Sequence, residues 1–436
     1  MAGVLVRARH PAGPDVLIIG AGPAGSVAAA LLAQRGYQVL VQERQHFPRF
    51  SIGESLLAYS TQVLQEAGLL DAVLAGGFQF KNGATFVCDE LYSEFNFANK
   101  FTAGCSFTFQ VLRSEFDHLL ASEAERLGAT VQYGVEITAI DVGGEQPEVT
   151  TRTEAGDVIV HRPRFVLDAS GFGRTLARLL DLETPSSFPV RAARFCHVKD
   201  SIVAGAFDRQ KIRIGINPTH RDVWSWLIPF PNGTSSLGIV AARDHLARYT
   251  GSDEDRFWAM VGDEPRLRIL LEHAHTVRPI GEIIGYAANV KALHGPGFAL
   301  LGNAAEFLDP VFSSGVTIAL HSAKLAAAAL DRQLRGEAVD WQQAFAEPLM
   351  FGIETFRTFV NGWYDGSLQD VIFYPDKVPA IHRMICSVLA GYAWDPANPY
   401  TGPQSARRLR ALAAACRAGT PAPAAAADAI TGPGPS

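Results

Sequence analysis

The sequence predicts an α/β protein: a parallel-stranded domain, a β-rich and mainly antiparallel insert, and a helical C-terminal region. Three observations carry this. Near the N-terminal end, an apolar run closing on glycine is followed by an Ala/Leu-rich helical segment and a second apolar run, which together make a β-α-β unit. Short aromatic and apolar alternations separated by turn residues dominate the middle of the chain. Beyond about residue 335 the pattern is helical.

The elements follow in order. Residues 15–20, DVLIIG, read as a buried parallel strand. Residues 23–34 read as a helix, with Pro23 in its first turn and Gly36 beyond its end. Residues 38–41 are the second strand, and 56–75 are helical in pattern. From about residue 84 to 110, alternations such as Glu94-Phe95-Asn96-Phe97 and Ser106-Phe107-Thr108-Phe109 predict strands. Residues 114–127 predict a helix with Ser114 as N-cap and Phe116, Leu119 and Leu120 on one side. Strands then run to about Asp168 and again from 191 to 240. A long helix runs from near Gly315 to Leu334, helical patterns continue to Ala418, and the Ala/Pro/Gly-rich residues 419–436 are expected to be a disordered tail.

Composition narrows the class without naming a chemistry. At ~150 residues per domain, 436 residues suggest two or three units. With 48% hydrophobic and 19% charged residues, the chain can bury a large core. A net charge of −6 gives no electrostatic reason to expect nucleic acid. Five scattered cysteines, none in a C-x-x-C pair, read as reduced thiols, with neither a disulfide framework nor a metal site. No signal-peptide-like stretch and no apolar run of ~18 residues is present, so a cytoplasmic protein without a membrane span is expected.

Gly20-Ala21-Gly22-Pro23-Ala24-Gly25 fits G-x-G-x-x-G between strand and helix. The first glycine permits the turn, the second admits a pyrophosphate to the backbone, and the third lets helix and strand pack closely. Glu43 ends the second strand, where a carboxylate accepts hydrogen bonds from a ribose. The domain is therefore Rossmann-type. Four further segments follow: Arg49-Phe50-Ser51-Ile52-Gly53-Glu54-Ser55, Arg113-Ser114-Glu115-Phe116-Asp117, Val166-Leu167-Asp168-Ala169-Ser170-Gly171, and Leu300-Leu301-Gly302-Asn303-Ala304-Ala305. With these the chain resembles the FAD-dependent aromatic hydroxylase and geranylgeranyl reductase-like superfamily. The resemblance implies FAD contacts at Gly20, Gly22, Ala24, Gly25, Glu43, Arg49, Ser51, Arg113, Asp168, Gly302, Asn303, Pro310, Gly315 and Val316. Asn303 stands where the superfamily usually has aspartate; it can hydrogen-bond but carries no charge.

Three more strings resemble the flavin-dependent halogenases, and the phenol and pyrrole branch in particular. Trp224-Ser225-Trp226-Leu227-Ile228-Pro229 is W-x-W-x-I-P, with Trp224, Trp226 and Pro229 as its fixed positions. The resemblance places these tryptophans near a passage beside the flavin; the plainer reading is an aromatic core pair, since i and i+2 share a strand face. Phe307-Leu308-Asp309-Pro310-Val311-Phe312-Ser313-Ser314-Gly315-Val316 opens the long helix. The resemblance implies halide binding at Ser314 and Gly315, and exposed N–H groups at a helix start suit an anion; the plainer reading is a serine cap. Phe78-Gln79-Phe80-Lys81-Asn82-Gly83-Ala84-Thr85-Phe86 carries a lysine in an aromatic setting. The resemblance makes Lys81 catalytic, while a lysine with its head in water is the bland alternative.

The resemblance implies reduced FAD, O2 and chloride or bromide as reactants, hypohalous acid formed at the flavin, and halogenation of an electron-rich phenolic or pyrrolic ring, free or carrier-bound, in secondary metabolism. Only one dinucleotide-binding unit is readable, so a separate flavin reductase is the expected partner. The implied organisation is a discontinuous FAD-binding domain (14–75, 105–175 and 285–335), a β-rich substrate domain (76–104 and 176–284), a helical region (336–418) and the tail. The alternatives are a halogenase-like hydroxylase, aryl-polyene-associated enzyme or reductase that does not halogenate, and a degenerate flavoprotein without activity.

Overall fold

The computed structural model describes residues 13–186 and 188–419. The expected tail at 420–436 lies outside the described residues. The N-terminal β-α-β unit sits at the centre of a six-stranded sheet. Val16–Ile19 pairs in parallel with Val39–Glu43 on one side and Phe165–Asp168 on the other. Thr130–Tyr133 and Phe298–Leu300 extend the parallel set, and the short strand His294–Gly295 closes one edge antiparallel. Val16, Leu17 and Ile18 are fully buried, as in a strand covered on both faces. Helix Pro23–Ala33 packs against both Arg113–Arg126 and the long helix Ser314–Leu334.

A second, eight-stranded sheet carries the β-rich insert. Its order runs from Leu91–Asn96 through Gly83–Cys88, Lys211–Ile216, Trp224–Pro229 and Thr234–Ala242 to Arg191–Lys199, with His275–Thr276 and Gly281–Ile284 beyond. Every pairing is antiparallel except that of Lys211–Ile216 with Gly83–Cys88. The predicted α/β class with a mainly antiparallel second sheet therefore describes the molecule. Two short strands, Gln79–Lys81 and Thr108–Gln110, form a separate antiparallel ribbon.

Several local expectations are corrected. Residues 56–75 are two helices, Ala58–Glu66 and Leu70–Ala75, parted where Gly68 takes φ +71°, a conformation glycine adopts without strain. The helix expected at 114–127 is Arg113–Arg126 with Leu112 as N-cap, so Ser114 caps nothing. Placing Arg113 inside the helix sets it one turn from Asp117. The long helix begins at Ser314, next to the expected Gly315, and Ser313 before it takes the left-handed conformation (φ +56°) and makes the corner. As expected, strands continue toward Asp168; Val135–Asp141, Glu148–Thr153 and Val158–His161 form a three-stranded sheet.

The C-terminal region is helical, with Glu347–Tyr364, Ser367–Phe373, Pro379–Leu389 and Ser405–Arg417. Phe356, Phe359 and Trp363 are fully buried, and Trp363 packs against Phe312, Phe86 and Trp224. The helices therefore share one core with the large sheet.

Candidate active site

A cleft of about 310 Å³ opens where the central parallel strands end, the place where open α/β sheets bind ligands. Gly20, with φ +93°, turns the chain there, and a Cβ on it would lie 2.7 Å from the Ala169 carbonyl oxygen. A Cβ on Gly25 would lie 1.9 Å from the Gly20 oxygen, so only glycine lets the helix sit this close to the strand. Gly20, Gly22, Ala24, Glu43, Arg49, Ser51, Arg113, Asn303, Gly315 and Val316 all line the cleft.

Four residues read as cofactor contacts stand elsewhere. Gly25 is packed against the loop behind the cleft. Asp168 is fully buried, and its carboxylate accepts the backbone N–H groups of Ser170 (2.9 Å) and Leu176 (2.7 Å). It shapes the loop whose residues Ala169 to Gly173 line the cleft. Gly302 is held against the long helix, with Ser322 Oγ accepting its N–H. Pro310 lines an adjoining cavity instead.

The polar lining is organised by a residue that sequence reasoning quoted but did not select. Asp117 is fully buried. Its carboxylate accepts from Arg113 Nε (2.7 Å) and Nη2 (2.9 Å), and from Arg49 Nη1 (3.1 Å). Two guanidinium groups thus share one carboxylate, in the fork geometry that makes such pairs rigid. The i,i+4 spacing of Arg113 and Asp117 was the available signal. Glu43 accepts the N–H groups of Ala21 and Gln45, each at 3.0 Å, and its oxygens keep lone pairs for a further donor.

An adjoining cavity of about 70 Å³ shares Arg113, Asn303, Gly315 and Val316 with the cleft and adds Ser55, Tyr286, Phe307, Pro310 and Ser313. Asn303 Oδ1 is buried without a partner and lines both spaces, and Arg49 Nε is also unpartnered. Such atoms need a partner, and a ligand with ribityl hydroxyls and phosphates fits them. At the helix start, Ser313 and Gly315 line the cavity but Ser314 does not. The serine side chains cap nothing, so the plainer cap reading does not hold and the first-turn N–H groups lack intrahelical partners.

Lys81 lies beyond Ser55. It is fully buried, and its Nζ donates to Ser55 Oγ and to the Leu56 carbonyl, both at 2.7 Å. Both acceptors are neutral, and the ring centroid of Phe97 lies 5.4 Å from Nζ. Burial lowers its ammonium from the usual 10.5 to about 7. The snorkelling alternative does not hold, since the head group is not in water.

Asp309 forms a second buried carboxylate centre. Its Oδ2 accepts from Tyr286 Oη (3.0 Å) and Tyr364 Oη (2.8 Å), and its Oδ1 accepts from Val311 N–H (3.0 Å). Burial raises it from 3.8 to about 6. Tyr364 Oη in turn accepts from Trp224 Nε1 (3.1 Å), while Trp226 Nε1 donates to Ser236 Oγ (3.1 Å). Both tryptophans are buried core residues, as is Pro229 on the same strand. Trp224, though not Trp226, is therefore tied to the helix-start loop by hydrogen bonds through Tyr364. Residues 140 positions apart make that link, so no local pattern could have shown it.

Among the described residues no cluster of side chains suits a metal, and no helix is long and apolar enough to cross a membrane. The five cysteines are free.

A family model described as an FAD binding domain matches residues 14–344. The chain is 31% identical to a 1H-pyrrole-2-carbonyl-[peptidyl-carrier protein] chlorinase of Pseudomonas fluorescens, across 86% of this chain and 89% of the relative. It is 32% identical to a tryptophan 2-halogenase of Chondromyces crocatus, across 75% of this chain but only 63% of that protein's length. The structure resembles that of a flavoprotein/dehydrogenase from Cytophaga hutchinsonii, with a TM-score of 0.90 and 43% identity, covering 93% of this chain and 99% of the other.

Proposed function

Because this chain belongs to the flavin-dependent halogenase family and is an FAD-dependent enzyme, we propose that it forms hypohalous acid from chloride or bromide and halogenates a phenolic or pyrrolic ring, free or tethered to a carrier protein. One observation carries the reading: a continuous path of lining residues runs from the glycine loop, past Gly315, to a serine whose hydroxyl touches a buried lysine with no carboxylate partner.

Reduced FAD, when bound, supplies with O2 the oxidising power for halide. The chain's own residues do the positioning. The glycine loop and the start of helix Pro23–Ala33 line the cleft and would hold the cofactor's phosphate groups. Glu43 has lone pairs for ribose hydroxyls, and Arg49 and Arg113, clamped by Asp117, lie along the cleft. The uncapped turn at Ser313–Gly315 offers backbone N–H groups to halide. Near pH 7 the Lys81 nitrogen is present both as ammonium and as amine. It can therefore donate a hydrogen bond to hypohalous acid or offer it a lone pair. Asp309, behind Tyr286, is poised near pH 6 to take up a proton from the cavity.

Reduced FAD comes from a separate flavin reductase in this reading. The test combines the purified chain with FAD, a flavin reductase, NADH, O2, bromide or chloride, and monochlorodimedone as trap. Halide-dependent halogenation of the trap is expected. A second reading, a flavin oxidoreductase that does not halogenate, is favoured by the similarity to the Cytophaga flavoprotein. It prevails if the flavin turns over with O2 and halide changes no product.

A further inference from the structure

The surroundings of Lys81 contain more polar atoms than a structural lysine needs. In the ribbon of Gln79–Lys81 and Thr108–Gln110, Lys81 stands opposite Thr108 and Gln79 opposite Gln110. Ser55 bridges Gln110 from the other side. Directly opposed residues share a face, as do residues two apart on a strand. Ser55, Lys81, Thr108 and Gln110 therefore present their side chains to one side of the ribbon. Lys81, Thr108 and Gln110 are fully buried, and Ser55 is 3% exposed. Yet Thr108 Oγ1 and Gln110 Oε1 have no hydrogen-bond partner. The Gln110 amide nitrogen is committed to the Arg209 carbonyl (3.0 Å), which leaves its oxygen free on this orientation. Two unpartnered polar atoms in a buried site beside a lysine call for a small hydrogen-bonding partner.

Their chemistry selects that ligand. Gln110 Oε1 only accepts, so it requires an O–H or N–H donor. Thr108 Oγ1 donates and accepts, and Lys81 Nζ donates when protonated. A small neutral hydroxylic molecule satisfies all three. A halide ion does not, because it has no proton for Gln110 Oε1 and faces that oxygen's partial negative charge. Resting on the halogenase reading, we propose that Ser55, Thr108 and Gln110 form with Lys81 a buried receiving site for neutral hypohalous acid that excludes the halide ion. Ser55 is a positioning residue in this site: it lines the cavity on one side and holds Lys81 Nζ on the other. Halide and oxidant are thereby sorted, the anion to the uncapped helix start and the neutral acid to the ribbon.

Two measurements test this without turnover of the flavin. The first soaks crystals of the FAD-loaded protein in bromide and reads anomalous density. Bromide at the Ser313–Gly315 turn, with none beside Lys81 and an oxygen-like peak bonded to Thr108 Oγ1 and Gln110 Oε1, is expected. Bromide between Lys81 and Gln110 overturns the proposal. The second uses cyanate, whose neutral form, isocyanic acid, is small and carries an N–H donor; a lysine amine adds across its C=N bond to give a carbamyl group. At fixed total cyanate, peptide mass spectrometry should show carbamylation of Lys81 level below about pH 7 and falling above it, because the isocyanic acid fraction drops with pH while the amine fraction rises only up to about 7. Thr108→Val and Gln110→Met should each slow it at least fivefold at unchanged Tm and FAD content, and Ser55→Thr should restore what Ser55→Ala loses. Unchanged labelling in both Thr108→Val and Gln110→Met overturns the site. Labelling as expected in a protein that halogenates nothing leaves the site standing and removes the halogenase reading.

Discussion

Of the places where the molecule buries positive charge, two treat it in opposite ways. In the cofactor cleft, Arg49 and Arg113 share the buried carboxylate of Asp117. At Lys81 the cation has only a hydroxyl and a carbonyl for partners. The arginines are paired and fork-bonded, which suits a fixed electrostatic cradle. The lysine is desolvated and unpaired, so its proton is loosely held near neutrality. Burial alone does not decide whether a cation holds a ligand or does chemistry; the counter-ion does.

The largest expected effect breaks the lysine side. Lys81→Ala should lower halogenation by about 10²–10⁴-fold while the FAD absorbance per chain stays unchanged. Steady-state product formation and flavin content measured together check this. The arginine side breaks differently. Asp117→Asn removes the charge shared by buried Arg113 and half-buried Arg49 and should cost about 3–5 kcal/mol of stability. Denaturant unfolding and FAD retention on gel filtration read it.

A pH series sharpens the contrast. Because Lys81 has a lower pKa in the folded state than in the unfolded chain, the unfolded chain binds more protons between about pH 7 and 10.5. Stability from this group therefore rises with pH across that window and is lost as pH falls toward 7. The difference between wild type and Lys81→Met should climb by up to about 1.4 kcal/mol per pH unit there, as measured by urea unfolding at several pH values. Asn303→Ala removes the unpartnered amide that lines both cavities and should weaken FAD binding about tenfold, the worth of roughly one hydrogen bond, by fluorescence titration. The smallest effect is expected of Trp224→Phe, which keeps most of the packing but frees Tyr364 from its donor. A loss of about 1 kcal/mol is expected in unfolding.

Much of this was legible in the primary structure, and what was not follows from distance. The glycine loop, Glu43 and the parallel strands are local patterns, so their placement followed from periodicity. Ten residues read as cofactor contacts do line one cleft. Asp168, Gly25 and Gly302 do not, because a motif marks residues that shape a loop as readily as residues that face a ligand. The serine cap failed because the N-cap residue Ser313 takes the left-handed conformation and its side chain accepts no first-turn N–H.

By itself the sequence determined the α/β class, the FAD-binding family and the segments where chemistry had to lie, since these depend on residue type at short spacing. Only the tertiary structure decided that Asp117 joins Arg49 to Arg113, that Trp224 reaches Asp309 through Tyr364, and that Lys81 meets Ser55 rather than a carboxylate. The physical reason is that charge state and hydrogen-bond partners depend on what is folded next to a group, and all but one of those contacts join residues far apart in the chain.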